Sequence, residues 1–169
     1  LKPENIMLGE YRETYVMDWG IARLINEPGF DPAKWEKPKT ISGTPRYLSP
    51  EAIVGEHTDH RADIFTLGLI LQEVVTLQNA VHGNEAPEIM ANIRTGNIEE
   101  PVHKFGFRID GDLKAIILKA TAHERDKRYQ SVNELSEDLR RYIRAAEVSA
   151  NPDNFLTKCM RWCYHHRRL

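Results

Sequence analysis

Apolar residues open the chain in two short blocks. Ile6-Met7-Leu8 and Tyr15-Val16-Met17 flank a turn around Gly9-Glu10, and the β-prone composition of both predicts a small hairpin. Residues 21–48 are then a long polar connection carrying Pro28, Gly29, Pro32, Pro38 and Pro45, a length that usually signals function or disorder. From Asp63 to Leu77 apolar positions run almost all round a helical wheel (Ile64, Phe65, Leu67, Leu69, Ile70, Leu71, Val74, Val75), which predicts a central buried helix. Pro87–Thr95 predicts a shorter helix stopped by Gly96, a residue suited to a left-handed cap. Leu113, Ile116, Ile117 and Ala120 give the next helical face. Ser131 and Glu134 have capping-box spacing, and behind them Leu135, Leu139, Tyr142, Ile143 and Ala146 form a stripe opposite Arg140, Arg141 and Arg144. Asn151-Pro152 is expected to open a last helix. There is no internal repeat, and the pattern describes one mostly helical lobe.

Composition narrows the function classes. At 169 residues, with 41% hydrophobic and 28% charged residues, the chain can bury one sizeable core. A net charge of −2 argues against nucleic acid as a partner, since such proteins usually carry a basic stripe. The two cysteines, Cys159 and Cys163, cannot frame a disulfide scaffold, and a reducing cytoplasmic setting fits them. No apolar run reaches the roughly 18–20 residues that a membrane helix needs.

Five motifs then occur in a fixed order: Leu1-Lys2-Pro3-Glu4-Asn5, Asp18-Trp19-Gly20, Gly43-Thr44-Pro45-Arg46-Tyr47-Leu48-Ser49-Pro50-Glu51, Asp63-Ile64-Phe65-Thr66-Leu67-Gly68, and a late Arg128. In order and spacing they resemble the C-terminal lobe of eukaryotic-like serine/threonine protein kinases of the bacterial type, over about residues 1–145. The resemblance implies a mainly α fold with a short β-hairpin, a long activation segment and a helical bundle, the N-lobe being absent. Residues 1–146 would be a partial kinase domain and residues 147–169 a tail helix, which the resemblance to membrane-anchored members would make juxtamembrane.

The family's catalytic loop reads H-R-D-L-x-x-x-N, with the Asp as general base and the Asn on a magnesium ion. Counted back from Asn5, that base falls immediately before Leu1. The Gly-rich loop, the strand lysine and its partner Glu are not in the sequence either. The expectation is therefore a kinase piece that is inactive by itself and transfers the ATP γ-phosphate to protein Ser/Thr hydroxyls when part of a full domain. The alternative is an inactive lobe or pseudokinase serving as a docking scaffold. By resemblance Asn5 and Asp18 bind Mg2+ and, through it, ATP, and both are hard oxygen ligands suited to that ion. Lys2 approaches the transferred phosphate, and Thr44 shapes the site for the acceptor hydroxyl. Glu51 and Arg128 resemble the buried ion pair anchoring the activation segment, where loss of one partner costs roughly 3–5 kcal/mol. Asp63 resembles the central-helix carboxylate that holds the catalytic-loop backbone, and it also suits a helix N-terminus on dipole grounds. Thr40 is the preferred phosphosite, with Ser42 and Thr44 beside it. Trp19, Ser49 and Phe65 depart from the family's usual Phe, Ala and Trp without removing a catalytic group. Protein substrates and self-association for autophosphorylation are the expected partners, and membrane contact only through a segment outside this chain.

The tail invites two further readings. Phe155, Cys159, Trp162 and Cys163 make an apolar stripe, expected to pack on the lobe with both thiols buried. A zinc site from Cys159, Cys163, His165 and His166 would take all its ligands from one short helical stretch, which cannot wrap a tetrahedral ion. His57, His60, His82, His103 and His123 are expected to be surface or structural residues.

Overall fold

A computed structural model describes residues 1–20, 22 and 43–166, with side chains through residue 159 and at Cys163. Most of the long connection, including the candidate phosphosites Thr40 and Ser42, lies outside the described residues. Strands β1 (Ile6–Leu8) and β2 (Thr14–Val16) pair antiparallel, Met7 opposite Tyr15, in a two-stranded sheet. Among the described residues six α-helices follow: α1 (Pro50–Val54), α2 (His60–Thr76), α3 (Ala86–Thr95), α4 (Gly111–Ala120), α5 (Val132–Ile143) and α6 (Phe155–His166).

Helix α2 is the axis, and its neighbours explain its all-round hydrophobicity. Phe65 and Leu69 face a cluster with Ile53, Val81, Ile89 and Ile93 from the α1–α3 side. Ile64 points the other way, into Ile116, Ala120, Tyr129, Leu135 and Val148. One helix thus divides two cores, which a single apolar stripe could not serve. Its last turn departs from the expectation, because Val74 and Leu77 are exposed. Asp59 caps the start by accepting from the Arg61 N–H, so the helix begins before Asp63, which sits in its first turn. Gly68 lets α2 and α4 approach closely: a Cβ there would meet the Ala120 Cβ at 2.8 Å and the Thr121 Cγ2 at 2.8 Å.

Gly96 ends α3 in the left-handed conformation, as expected. At α5 the Ser131 hydroxyl accepts from the Glu134 N–H at 3.2 Å, while the Glu134 carboxylate accepts from the Gln130 N–H at 2.8 Å, one residue earlier than an ideal box. The stripe on α5 is interrupted by Asp138, which is buried, and it stops before Ile143, which is 79% exposed. The Asp138 carboxylate accepts from the Tyr129 hydroxyl (2.8 Å), the Ser149 N–H (2.7 Å) and hydroxyl (2.7 Å), and the Ala150 N–H (3.0 Å). Burial pushes its pKa up, but these four donors outweigh it and hold the group below the ordinary carboxylate range.

The tail corrects two expectations. Asn151 and Pro152 do not open the last helix: α6 starts at Phe155, where the Asn154 side chain accepts from the Thr157 N–H at 2.9 Å. Asn151 instead donates to Asp112 at 2.8 Å, tying the tail to the start of α4. Phe155, Cys159 and Cys163 are exposed, so neither thiol is the buried small hydrophobe expected of it. The stripe was correct as a pattern, but the short lobe supplies no surface to cover it at these positions.

Candidate catalytic site

The hairpin brings together the two residues singled out for metal binding. Pro3 starts a single 3-10 turn over Pro3–Asn5, its fixed φ suiting that first position, and the chain enters β1 directly afterwards. The Met17 N–H donates to the Asn5 carbonyl at 2.8 Å, extending the β1–β2 pairing to the residue before Asp18. Asp18 has φ 60°, a left-handed conformation that a short polar side chain tolerates at some cost. The twist aims its carboxylate back at the turn, where the Asn5 amide donates to Asp18 Oδ2 at 3.4 Å. The Gly20 N–H approaches the other oxygen at 3.4 Å. Trp19 anchors through its indole N–H to the Val16 carbonyl at 2.9 Å, with its ring exposed.

An amide and a carboxylate, whose oxygens are hard donors, thus stand side by side, with the amide N–H turned to Asp18 Oδ2. That donor set fits Mg2+, which takes one or two protein oxygens and completes its octahedron with water and substrate phosphates. No group of three or more His, Cys, Asp or Glu able to hold a metal occurs among the described residues. Lys2 precedes the turn, half-buried and without an ion pair among the described residues.

The second part of the candidate site is the segment after Gly43. Thr44 heads a 3-10 turn over Pro45–Tyr47 and is exposed, with no side-chain capping bond. Three anchors that the sequence did not reveal fix this turn to the lobe. The Arg46 guanidinium donates to the Val81 carbonyl and, at 2.9 Å, to the Gly83 carbonyl. The Thr66 hydroxyl donates to the Tyr47 carbonyl at 2.8 Å. The Tyr47 hydroxyl donates to Glu73 at 2.8 Å. Burial, then that bond and the carboxylate charges of Glu73 and Glu4, raise the Tyr47 phenol well above its usual range, so it remains a donor. A lone Glu in the apolar run of α2 was the one sequence signal that could have exposed this contact.

Below the turn, Glu51 and Arg128 form the expected pair, with guanidinium–carboxylate contacts of 2.8 and 2.9 Å. Both side chains are almost fully buried. Arg128 also donates to the carbonyls of Ala122 (2.7 Å), Arg61 (3.0 Å) and His123 (3.0 Å), and lies over the Phe65 ring at 4.8 Å. Each of the five guanidinium N–H groups has an acceptor, the condition under which a buried cation is tolerable. Burial alone would raise the Glu51 carboxyl, but the bonds from Arg128 reverse this and lower it. Asp63 is different. Its side chain is exposed and makes no hydrogen bond among the described residues, yet surrounding protein mass raises its carboxyl, opposed by the amino terminus at Leu1 and by His60. The expected contact with catalytic-loop backbone is therefore represented only by proximity to the start of the chain.

The Asn5–Asp18 pair thus stands at the end of a hairpin, and the turn over Pro45–Tyr47 is locked to the helical core. The protein kinase domain family matches residues 1–168. The chain belongs to the protein kinase family. Among its relatives, serine/threonine-protein kinase PknD of Protochlamydia amoebophila is 31% identical over 156 residues, covering 85% of this chain and 16% of that protein. Serine/threonine-protein kinase PknB of Mycolicibacterium smegmatis is 35% identical over 153 residues, covering 90% of this chain and 23% of the relative. PknB of Mycobacterium tuberculosis is 34% identical over 140 residues, covering 82% and 22%. The kinase chain described here thus spans about a fifth of the length of the curated relatives it matches. Its mainly helical lobe with a small hairpin is the fold expected for this part of a serine/threonine kinase.

Proposed function

We propose that this lobe serves phosphoryl transfer from ATP to Ser or Thr hydroxyls of proteins. The single observation carrying the proposal is the convergence of the Asn5 and Asp18 side chains at 3.4 Å on a hairpin that has no other evident use for them. Bound Mg2+ would bridge phosphate oxygens and offset their charge. Asn5 and Asp18 hold and orient that ion, and Lys2 places a mobile cation where negative charge develops on the transferred group. Thr44 to Tyr47, fixed by Arg46, Thr66 and Glu73, present a preformed edge against which the acceptor segment lies. Glu51 and Arg128 are positioning residues, holding that edge at constant height above the metal ligands. Residues 1–146 form the lobe, and the tail 147–169 is stitched to it through Asp138 and Asn151 before α6 departs.

The test is transfer of labelled γ-phosphate by a complete kinase domain carrying this lobe. Asp18→Ala should lower the rate at least roughly 100-fold, the usual cost of removing a principal transition-state contact. Its melting temperature should stay unchanged, because the carboxylate makes only two long contacts, both 3.4 Å. Undiminished transfer by a folded variant would remove Asp18 from the site.

A further inference from the structure

The loop between α3 and α4 carries a feature unrelated to phosphate transfer. At its tip Phe105 and Phe107 are 67% and 70% exposed. They flank Gly106, whose φ of 73° turns the chain, and a Cβ there would meet nothing within 4 Å. The tip is therefore a protrusion, with no groove beside Gly106. It is also rigid. The Lys104 N–H donates to the Thr76 carbonyl (2.8 Å), the Gln78 amide to the Val102 carbonyl (2.9 Å), and the Gly106 N–H to the His103 carbonyl (2.8 Å). The His103 ring fixes both aromatics, with centroids 5.8 Å from Phe105 and 4.9 Å from Phe107. Two aromatic rings are thus held in water at no further ordering cost.

Cations bracket them. Lys104 and Arg108 are exposed and have no ion pair among the described residues, Lys104 lying 5.9 Å from the Phe105 centroid. Of the carboxylates at the loop base, Glu100 is paired with Lys114 (2.5 Å), whereas Asp110, capping α4 through the Asp112 N–H (2.9 Å), and Asp112, accepting from Asn151 (2.8 Å), keep their charge on the α4 side of the tip. That last bond places the start of α6 beside the start of α4, and α6 begins with Phe155 and Leu156, 80% and 70% exposed. The chain beyond α6's first turns is basic through Arg161, Arg167 and Arg168.

We propose that the 102–108 loop is a docking face for an anionic lipid surface. Rigid protruding aromatics suit insertion at the headgroup boundary, and cations on long stems reach lipid phosphates while their methylenes stay with the rings. A convex tip with unpaired cations matches a soft anionic plane better than a shaped protein pocket. The proposal does not depend on the phosphoryl-transfer reading.

Co-sedimentation with phosphatidylcholine vesicles, with and without phosphatidylglycerol, tests it. The protein should partition onto the anionic vesicles only. The pair Phe105→Ser/Phe107→Ser and the pair Lys104→Ala/Arg108→Ala should each weaken partitioning roughly 10-fold. All four side chains are exposed, so unchanged circular dichroism and melting should accompany the loss. Absence of binding to anionic vesicles would overturn the proposal. So would binding by both variants as tight as the parent's, which would assign the contact to the tail alone. Concentration-dependent self-association abolished by the Phe pair, without vesicle binding, would give the rings to a second copy instead.

Discussion

Asp138 shows how much one side chain can organise here. It sits on the buried face of α5, yet its carboxylate gathers donors from Tyr129, Ser149 and Ala150 and so closes the chain after α5 onto the lobe. Its pKa is held below the unfolded value, so it contributes stability in full above about pH 4, the range of a free carboxylate, and loses it as pH falls through the folded value. Glu51, lowered by Arg128, acts in the same direction. Urea denaturation should therefore show stability declining below about pH 4. Asp138→Asn should cost about 1–3 kcal/mol at pH 7, because an amide cannot accept from all of these donors, and should flatten the acid limb. A variant as stable as the parent at pH 7 would contradict the clasp. Sequence alone could not find this role, since Asp138 breaks an apolar stripe and its partners lie beyond the helix end. Glu51 and Arg128, far apart in sequence, became legible only through the motif resemblance.

Among the elements, α2 and α4 define the tightest tolerance. Gly68 faces the Ala120 Cβ and Thr121 Cγ2, both at 2.8 Å from an added Cβ, with the Ala120 backbone carbon at 3.2 Å. Backbone cannot yield as a flexible side chain can. Gly68→Ala should thus destabilise by about 1–2 kcal/mol, an overpacking cost larger than the roughly 1 kcal/mol of helix propensity gained. Gly111→Ala, where nothing lies within 4 Å, should be neutral or stabilising by about 0.5–1 kcal/mol. Equal effects in chemical denaturation would refute the close approach. Periodicity made α2 to α5 legible because each buries a face against a neighbour. It misplaced the burial of Val74, Ile143 and the α6 stripe because a hydrophobic pattern records what could be covered, and the lobe ends before covering them.

Viewed whole, the described residues form a helical base carrying a hairpin and a fixed turn. The closeness of Asn5 to Asp18 was legible from two short motifs, since the two stand at the ends of the predicted hairpin. The locking of the turn was not, because Arg46 donates to carbonyls of Val81 and Gly83, which carry no side-chain signal in a sequence. The central claim, that the hairpin exists to bring Asn5 and Asp18 onto one ion, is tested most directly by adding Mn2+ and ATP to the isotopically labelled kinase domain. Paramagnetic broadening should centre on the amides of Asn5 and Asp18–Gly20 and vanish in Asp18→Ala. Broadening centred elsewhere, or unchanged in that variant, would contradict it.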